Sequence, residues 1–69
     1  MTDTLELEIA IKRAGLTKKE IASELGISMM GLYKKINNIT EFKASEISKL
    51  ADLLKIKDYQ EKERIFFAN

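Results

Sequence analysis

Cysteine and histidine are both absent from the 69 residues of this chain. Without cysteine there is no disulfide and no thiol nucleophile, and without histidine the chain lacks the commonest general base of enzymes. A zinc cluster built from these two residue types is excluded as well. The carboxylates are interspersed with lysines, as on solvated helix faces. We therefore expect no enzyme, no catalytic residue, no bound metal and no cofactor.

Proline is also absent, and glycine occurs only three times. Because proline interrupts helices, this composition, with many Ala, Leu, Ile, Lys and Glu residues, favours an all-α chain. No apolar run is long enough for a membrane span or a secretory signal, which favours a cytoplasmic protein. With no visible linker or repeat, the length predicts a single domain over residues 1–69.

The charges nearly cancel, since 12 Lys and Arg residues stand against 11 Asp and Glu residues, for a formal net charge of +1. A DNA-binding module of this size is more often clearly basic. Residues 17–43 carry five lysines and three acidic residues, so this segment is modestly positive. Any non-specific binding to phosphates is therefore expected to be weak and sensitive to salt.

Residues 17–36 have the pattern of two short helices joined by a glycine turn. Thr17 followed by Glu20 matches a capping box, and Gly26 can take the left-handed conformation that ends a helix. The small side chain of Ala22 allows a second helix to cross the first closely. Such a helix-turn-helix presents the outer face of its second helix to the major groove of DNA.

Apolar residues at helical spacing predict three further helices. The first covers about residues 4–14 and ends at Gly15, and the fourth covers about residues 44–54. Asp58 is a cap for a last helix that continues to about Phe67. The sequence therefore predicts five helices in all.

The outer face of the third helix holds most of the candidate DNA-binding residues. With Leu32 turned inward, a step of about 100° per residue turns Met30, Tyr33, Lys34 and Asn37 outward. Hydroxyl and lysine side chains can reach phosphates or base edges, whereas methionine can only touch an apolar group such as a thymine methyl. The full set of candidates is Lys18, Ser28, Met29, Met30, Tyr33, Lys34 and Asn37.

Two other residues of this helix have open interpretations. Gly31 weakens the helix by about 1 kcal/mol relative to alanine, which indicates either close approach of a partner to the backbone or simple tolerance. Lys35 lies on the flank of the helix, where we expect a surface residue.

A second surface could bind protein. Methionines are favoured at adaptable protein interfaces, and Leu5 and Ile9 form an apolar pair opposite the core face of the first helix. Either the C-terminal cluster of residues 65–67 folds over this pair, or one or both groups are exposed and contact another chain. The candidate interface residues are Leu5, Ile9, Met29, Met30, Tyr33, Phe66 and Phe67.

A set of short motifs runs through the helix-turn-helix and the helix after it. The set comprises Gly15-Leu16-Thr17, Ala22, Leu25-Gly26-Ile27-Ser28, Leu32, Ile36-Asn37, Phe42, Glu46-Ile47 and Leu50-Ala51. With these motifs, residues 7–56 resemble the helix-turn-helix domain of the lambda Cro and lambda repressor superfamily. The chain looks most like small switch regulators of temperate phages that infect low-GC Gram-positive bacteria. Its ending, EKERIFFAN, also resembles the C-terminal tails of these regulators. The resemblance implies a compact, lambda-repressor-like bundle of five helices.

The resemblance also assigns roles to matching positions. Lys18 stands where a phosphate-binding glutamine is common, residues 29, 30, 33 and 34 stand at base-reading positions, and Asn37 stands at a frequent contact with the DNA backbone. Two features depart from the family pattern. Asn37-Asn38 replaces the frequent Asn-Gly after the third helix, and two methionines replace polar base readers.

Two functions remain open. One is a Cro-like transcription regulator of a lysis–lysogeny switch that binds operator DNA through the third helix, as a dimer. The other is an antirepressor, or modulator of repression, that binds the N-terminal domain of the phage repressor. The helix-turn-helix with Lys18, Lys34 and Asn37 favours the first, and the near-neutral charge with the outward Met30 favours the second. We expect no membrane partner and no small-molecule ligand.

Overall fold

The computed structural model describes residues 1–68, which form five helices. They are α1 (Thr4–Ala14), α2 (Lys18–Leu25), α3 (Met29–Ile36), α4 (Ala44–Leu53) and α5 (Tyr59–Phe66). The predicted all-α bundle of five helices is confirmed, and the predicted ends of α4 and α5 are each one residue too long. In the described part of the chain, none of the helices has the length and apolar character needed to cross a membrane.

Hydrogen bonds at the ends of α2 and α3 define the helix-turn-helix. The Thr17 hydroxyl accepts a hydrogen bond from the Glu20 N–H at 3.1 Å, and the Glu20 carboxylate accepts one from the Thr17 N–H at 2.8 Å. Gly26 ends α2 with a φ of +70°, in the left-handed region that favours glycine. Ser28 Oγ then accepts from the Gly31 N–H at 2.9 Å and begins α3. The predicted capping box and glycine turn are therefore confirmed.

Each of the five helices buries one side in a shared hydrophobic core. Ala22 is buried on α2, and α2 packs against both α3 and α4. The largest side chains with almost no exposure are Leu7, Ile21, Leu32, Ile36, Leu50 and Ile65. Full burial of each such side chain contributes about 1.5–3 kcal/mol relative to its exposure, so these residues account for much of the stability.

Asn38 occupies the position where the resembled family often has glycine, and its contacts explain the substitution. Its φ is +64°, a left-handed conformation that asparagine tolerates better than most residues. Its side chain also exchanges two hydrogen bonds with the Thr2 backbone. Asn38 Oδ1 accepts from the Thr2 N–H, and Asn38 Nδ2 donates to the Thr2 carbonyl, both at 2.9 Å. Glycine would fit the backbone but could make neither bond.

Two further bonds tie the start of the chain to other helices. The Thr4 hydroxyl donates to the Ile36 carbonyl at the end of α3 at 2.7 Å. The Asp3 N–H donates to the Ile65 carbonyl of α5, also at 2.7 Å. The first residues therefore connect the end of α3 with α5.

One ion pair is almost buried and links α3 to α4. Lys35 Nζ lies 3.0 Å from Glu46 Oε1, and the two side chains are only 12% and 10% exposed. The same carboxylate oxygen accepts from the Lys43 N–H at 2.8 Å, so it also caps α4. Lys35 donates a further bond to the Glu41 carbonyl. The expectation that Lys35 is a surface residue is wrong, because its ammonium group is held by Glu46 of α4 and by the Glu41 carbonyl of the preceding loop.

These contacts set the ionisation of Glu46. Burial raises the pKa of Glu46, but hydrogen bonds from the Lys43 N–H and from Lys35, together with the charges of both lysines, outweigh it. The pKa of Glu46 therefore lies below its ordinary value of 4.5. The pKa of Glu20 is also lowered, chiefly by the hydrogen bond from the Thr17 backbone.

We predict that Asn38→Gly lowers the free energy of unfolding by about 1–2 kcal/mol, because it removes two hydrogen bonds to buried backbone groups of Thr2. Asn38→Ala should cost more, since alanine also resists the left-handed backbone. Urea denaturation followed by circular dichroism measures both effects. Asn37→Ala is the matched control and should change stability less. An Asn38→Gly variant that is more stable than wild type would contradict this stabilising role of the two hydrogen bonds.

The lowered pKa of Glu46 predicts acid sensitivity. A carboxylate with a depressed folded-state pKa stabilises the fold above its unfolded pKa, and this contribution is lost as the pH falls through the folded pKa. The free energy of unfolding should therefore fall below about pH 5. Glu46→Gln should be less stable at pH 7 by about 1–3 kcal/mol, because it leaves Lys35 without its charged partner. It should also lose less stability on acidification. Equal acid sensitivity in wild type, Glu46→Gln and the exposed control Glu24→Gln would contradict this role.

Candidate nucleic-acid interface

The exposed side of α3 lies opposite its two core residues, Leu32 and Ile36, which are each 1% exposed. Four predicted site residues follow one another at helical spacing on this exposed side. We call this stripe the α3 face, and its members are Met30, Tyr33, Lys34 and Asn37. Met30 is 62% exposed and Tyr33 is 58% exposed. The structure thus places these four candidates together.

The start of α3 adds two more candidates to this surface. Met29 is half-exposed at the first helical position. Ser28 accepts a hydrogen bond through Oγ but retains a hydroxyl hydrogen that it can donate. A Cβ at Gly31 would lie 3.2 Å from Ser28 Oγ, so a side chain there would crowd the cap. This crowding is a local reason for glycine in the first turn of α3.

Lys18 lies at the start of α2 and already has a partner. Its Nζ is 2.8 Å from Glu8 Oε2 of α1. Both side chains are substantially exposed, and ion pairs of this kind contribute only about 0–1 kcal/mol. A phosphate could therefore replace Glu8 at little cost, and contact between Lys18 and phosphate stays a prediction.

Asn37 also makes a local contact. Its Nδ2 donates to the Tyr33 carbonyl at 2.9 Å, and the same carbonyl also accepts from the Asn37 N–H at 3.1 Å. The side chain is exposed, and its amide oxygen takes no part in this hydrogen bond. A contact between Asn37 and the DNA backbone stays a prediction.

The C-terminal aromatic residues divide between core and surface. Phe66 is 3% exposed, and its ring meets Phe42 edge to face with centroids 5.8 Å apart. The prediction that Phe66 belongs to an interface is therefore wrong, because its ring completes the core. The alternative in which the cluster covers Leu5 and Ile9 is also wrong, since Leu5 remains 69% exposed and Ile9 is exposed too. Phe67 is half-exposed and remains a candidate.

Sequence reasoning missed Ile39, which follows α3. Its side chain is largely exposed, and its N–H donates to the Lys34 carbonyl at 2.8 Å. This bond places Ile39 beside the end of the α3 face. A large apolar residue directly between the polar residues Asn38 and Thr40 is the signal that could have identified it.

The chemistry of the α3 face is mixed. Lys34 carries its one charge and can bind a phosphate or a guanine edge, while Tyr33 offers a hydroxyl. Met30 offers only apolar contact. Across residues 1–68, no group of three or more acidic side chains is arranged to hold a metal ion. This mixture of charged, polar and apolar groups on the α3 face is suited to contact with the surface of a macromolecule.

Comparison with protein families gives a match to the family described as helix-turn-helix, over residues 7–60. The matched range contains most of α1, all of α2 to α4 and the start of α5. Comparison with curated proteins and with solved structures gives no match. Because the family match covers most of the sequence, the chain belongs to the Cro/C1-type helix-turn-helix family of DNA-binding transcription regulators.

Proposed function

We propose that this regulator binds operator DNA through the α3 face in a lysis–lysogeny switch of a temperate phage. The observation that carries the DNA contact is the exposure of four adjacent side chains on α3, with Leu32 and Ile36 held in the core behind them. The resemblance of the sequence to small phage switch regulators supports the biological role.

The helix-turn-helix suggests which part of the protein contacts the bases and which part contacts the phosphates. The α3 face enters the major groove, where its side chains reach base edges. The start of α2, with Lys18 and Lys19, lies against a phosphate, whose negative charge is favourable at a helix N-terminus. Because these phosphate contacts are electrostatic, affinity falls as salt rises, and each lysine that neutralises a phosphate adds about 1 to the slope of log affinity against log salt.

Binding of two half-sites requires two copies of the chain. Leu5 and Ile9 are exposed on α1, although apolar side chains of this size are usually buried. We propose that this pair contributes to contact with a second copy. Such a dimer would carry two α3 faces, one for each half-site.

Lys34→Ala tests the assignment of α3. We predict that it weakens binding to a labelled duplex from the regulatory region beside the gene, and reduces the slope of log affinity against log salt by about 1. Fluorescence anisotropy at several salt concentrations measures both. Lys57→Ala, an exposed lysine in the connection between α4 and α5, is the matched control and should leave both nearly unchanged.

Equal effects of the two lysine substitutions would contradict the role of the α3 face while leaving DNA binding intact. Operator binding would be refuted altogether if protein with normal circular dichroism bound the regulatory duplex no more tightly than random DNA at low salt.

A second candidate function is capture of the phage repressor by the same face. The observation that favours it is the number of exposed apolar side chains in and beside the α3 face, namely Met29, Met30, Tyr33 and Ile39. Adaptable methionines and tyrosine are typical of protein-binding surfaces.

For this second function, Met30→Ala should weaken the complex with the N-terminal domain of the cognate repressor by about tenfold or more, as for a central interface residue. Lys34→Ala should have a much smaller effect. Isothermal titration calorimetry at micromolar concentrations measures both. Absence of any complex with the wild-type chain in that range would exclude repressor capture.

A further inference from the structure

Met30 is unusual because it is an exposed apolar side chain on the DNA-binding face. It lies on the side of α3 opposite Leu32 and one helical turn before Lys34, and it is 62% exposed. The core contacts of α3 are made by Leu32 and Ile36 instead. Packing of the fold therefore does not account for a methionine at this position.

The chemistry of the thioether limits what Met30 can recognise. It has no hydrogen to donate, and its sulfur is a weak acceptor. It therefore gains little from a phosphate or from the polar base edges. Among the groups that the four bases present in the major groove, the thymine C5 methyl is the apolar one.

The neighbouring residues leave room for such a contact. Gly31, beside Met30, has no side chain that could cover the thioether. Met29 is half-exposed at the start of the helix, so its side chain extends the apolar area at this end of α3. The end of α3 that carries both methionines is therefore apolar and accessible.

We propose that Met30 gives this regulator a preference for thymine by packing its thioether against the C5 methyl in the major groove. The inference rests on the proposed binding of DNA by the α3 face and names the base that this face selects. Met29 contributes at the edge of the same contact.

The spacing on α3 limits where this thymine lies. Four residues of helix separate Met30 from Lys34, which is a rise of about 6 Å. Stacked base pairs are about 3.4 Å apart. The thymine read by Met30 therefore lies within about two base pairs of the site that Lys34 contacts.

The test uses a duplex selected by the full chain from a library with about 20 randomised base pairs, enough for two half-sites. Each thymine of the selected duplex is replaced in turn by uracil, which differs from thymine only by lacking the C5 methyl. Affinities for each duplex are measured by fluorescence anisotropy with wild type, Met30→Ala, Met30→Gln and the control Tyr59→Ala, an exposed side chain of α5.

We expect uracil at one position of each half-site to weaken wild-type binding about three- to fivefold, the value of one buried methyl group. Met30→Ala and Met30→Gln should bind the thymine and uracil duplexes equally, because neither can pack against the methyl as methionine does. Tyr59→Ala should retain the full preference. This pattern would establish Met30 as a specificity-determining residue.

Three results would overturn the inference. Saturable binding with no thymine position sensitive to loss of its methyl would remove the thymine preference while leaving operator binding intact. A preference that persists in both Met30 variants would place the methyl contact on another residue. Failure to select any duplex, by protein with normal circular dichroism, would refute the proposed DNA binding and the inference together.

Discussion

The burial of Leu32 and Ile36 determines which side of α3 can meet a partner. An isolated helix of eight residues is not stable in water, so α3 depends on packing to form at all. Because a helix has a fixed turn per residue, holding these two side chains in the core turns Met30, Lys34 and Asn37 outward. The Ser28 cap stabilises the start of the helix. The hydrogen bond from the Thr4 hydroxyl to the Ile36 carbonyl stabilises its end. The packing of the core therefore determines which side chains of α3 are available to a partner.

Local signals predicted the helices, whereas distant contacts escaped prediction. Capping residues and apolar spacing act within a few residues, so the ends of α2 and α3 follow from the sequence alone. The bonds between Thr2 and Asn38 join residues 36 apart, and no local pattern indicates that these residues meet. The same reason explains the misplacement of Phe66. The sequence shows adjacent phenylalanines, but only the shape of the assembled core selects the one that packs on Phe42.

Predictions for the site divide in the same way. Helical periodicity was sufficient to turn Met30, Tyr33, Lys34 and Asn37 to one exposed side. It could not anticipate that Lys18 pairs with Glu8 of a different helix. Both proposed partners, operator DNA and the repressor, would use the α3 face. If both bind, they compete for one surface, and the repressor concentration would control how much of this regulator reaches DNA.

The single oxygen of Glu46 that caps α4 and binds Lys35 has a dynamic consequence. When the first turn of α4 frays, the carboxylate moves with it, and the end of α3 loses its charged partner at the same moment. Fraying of α4 and loosening of the end of α3 are thus coupled through this one side chain. The mobility of α3 is in this way governed partly by a helix that contributes no residue to the α3 face.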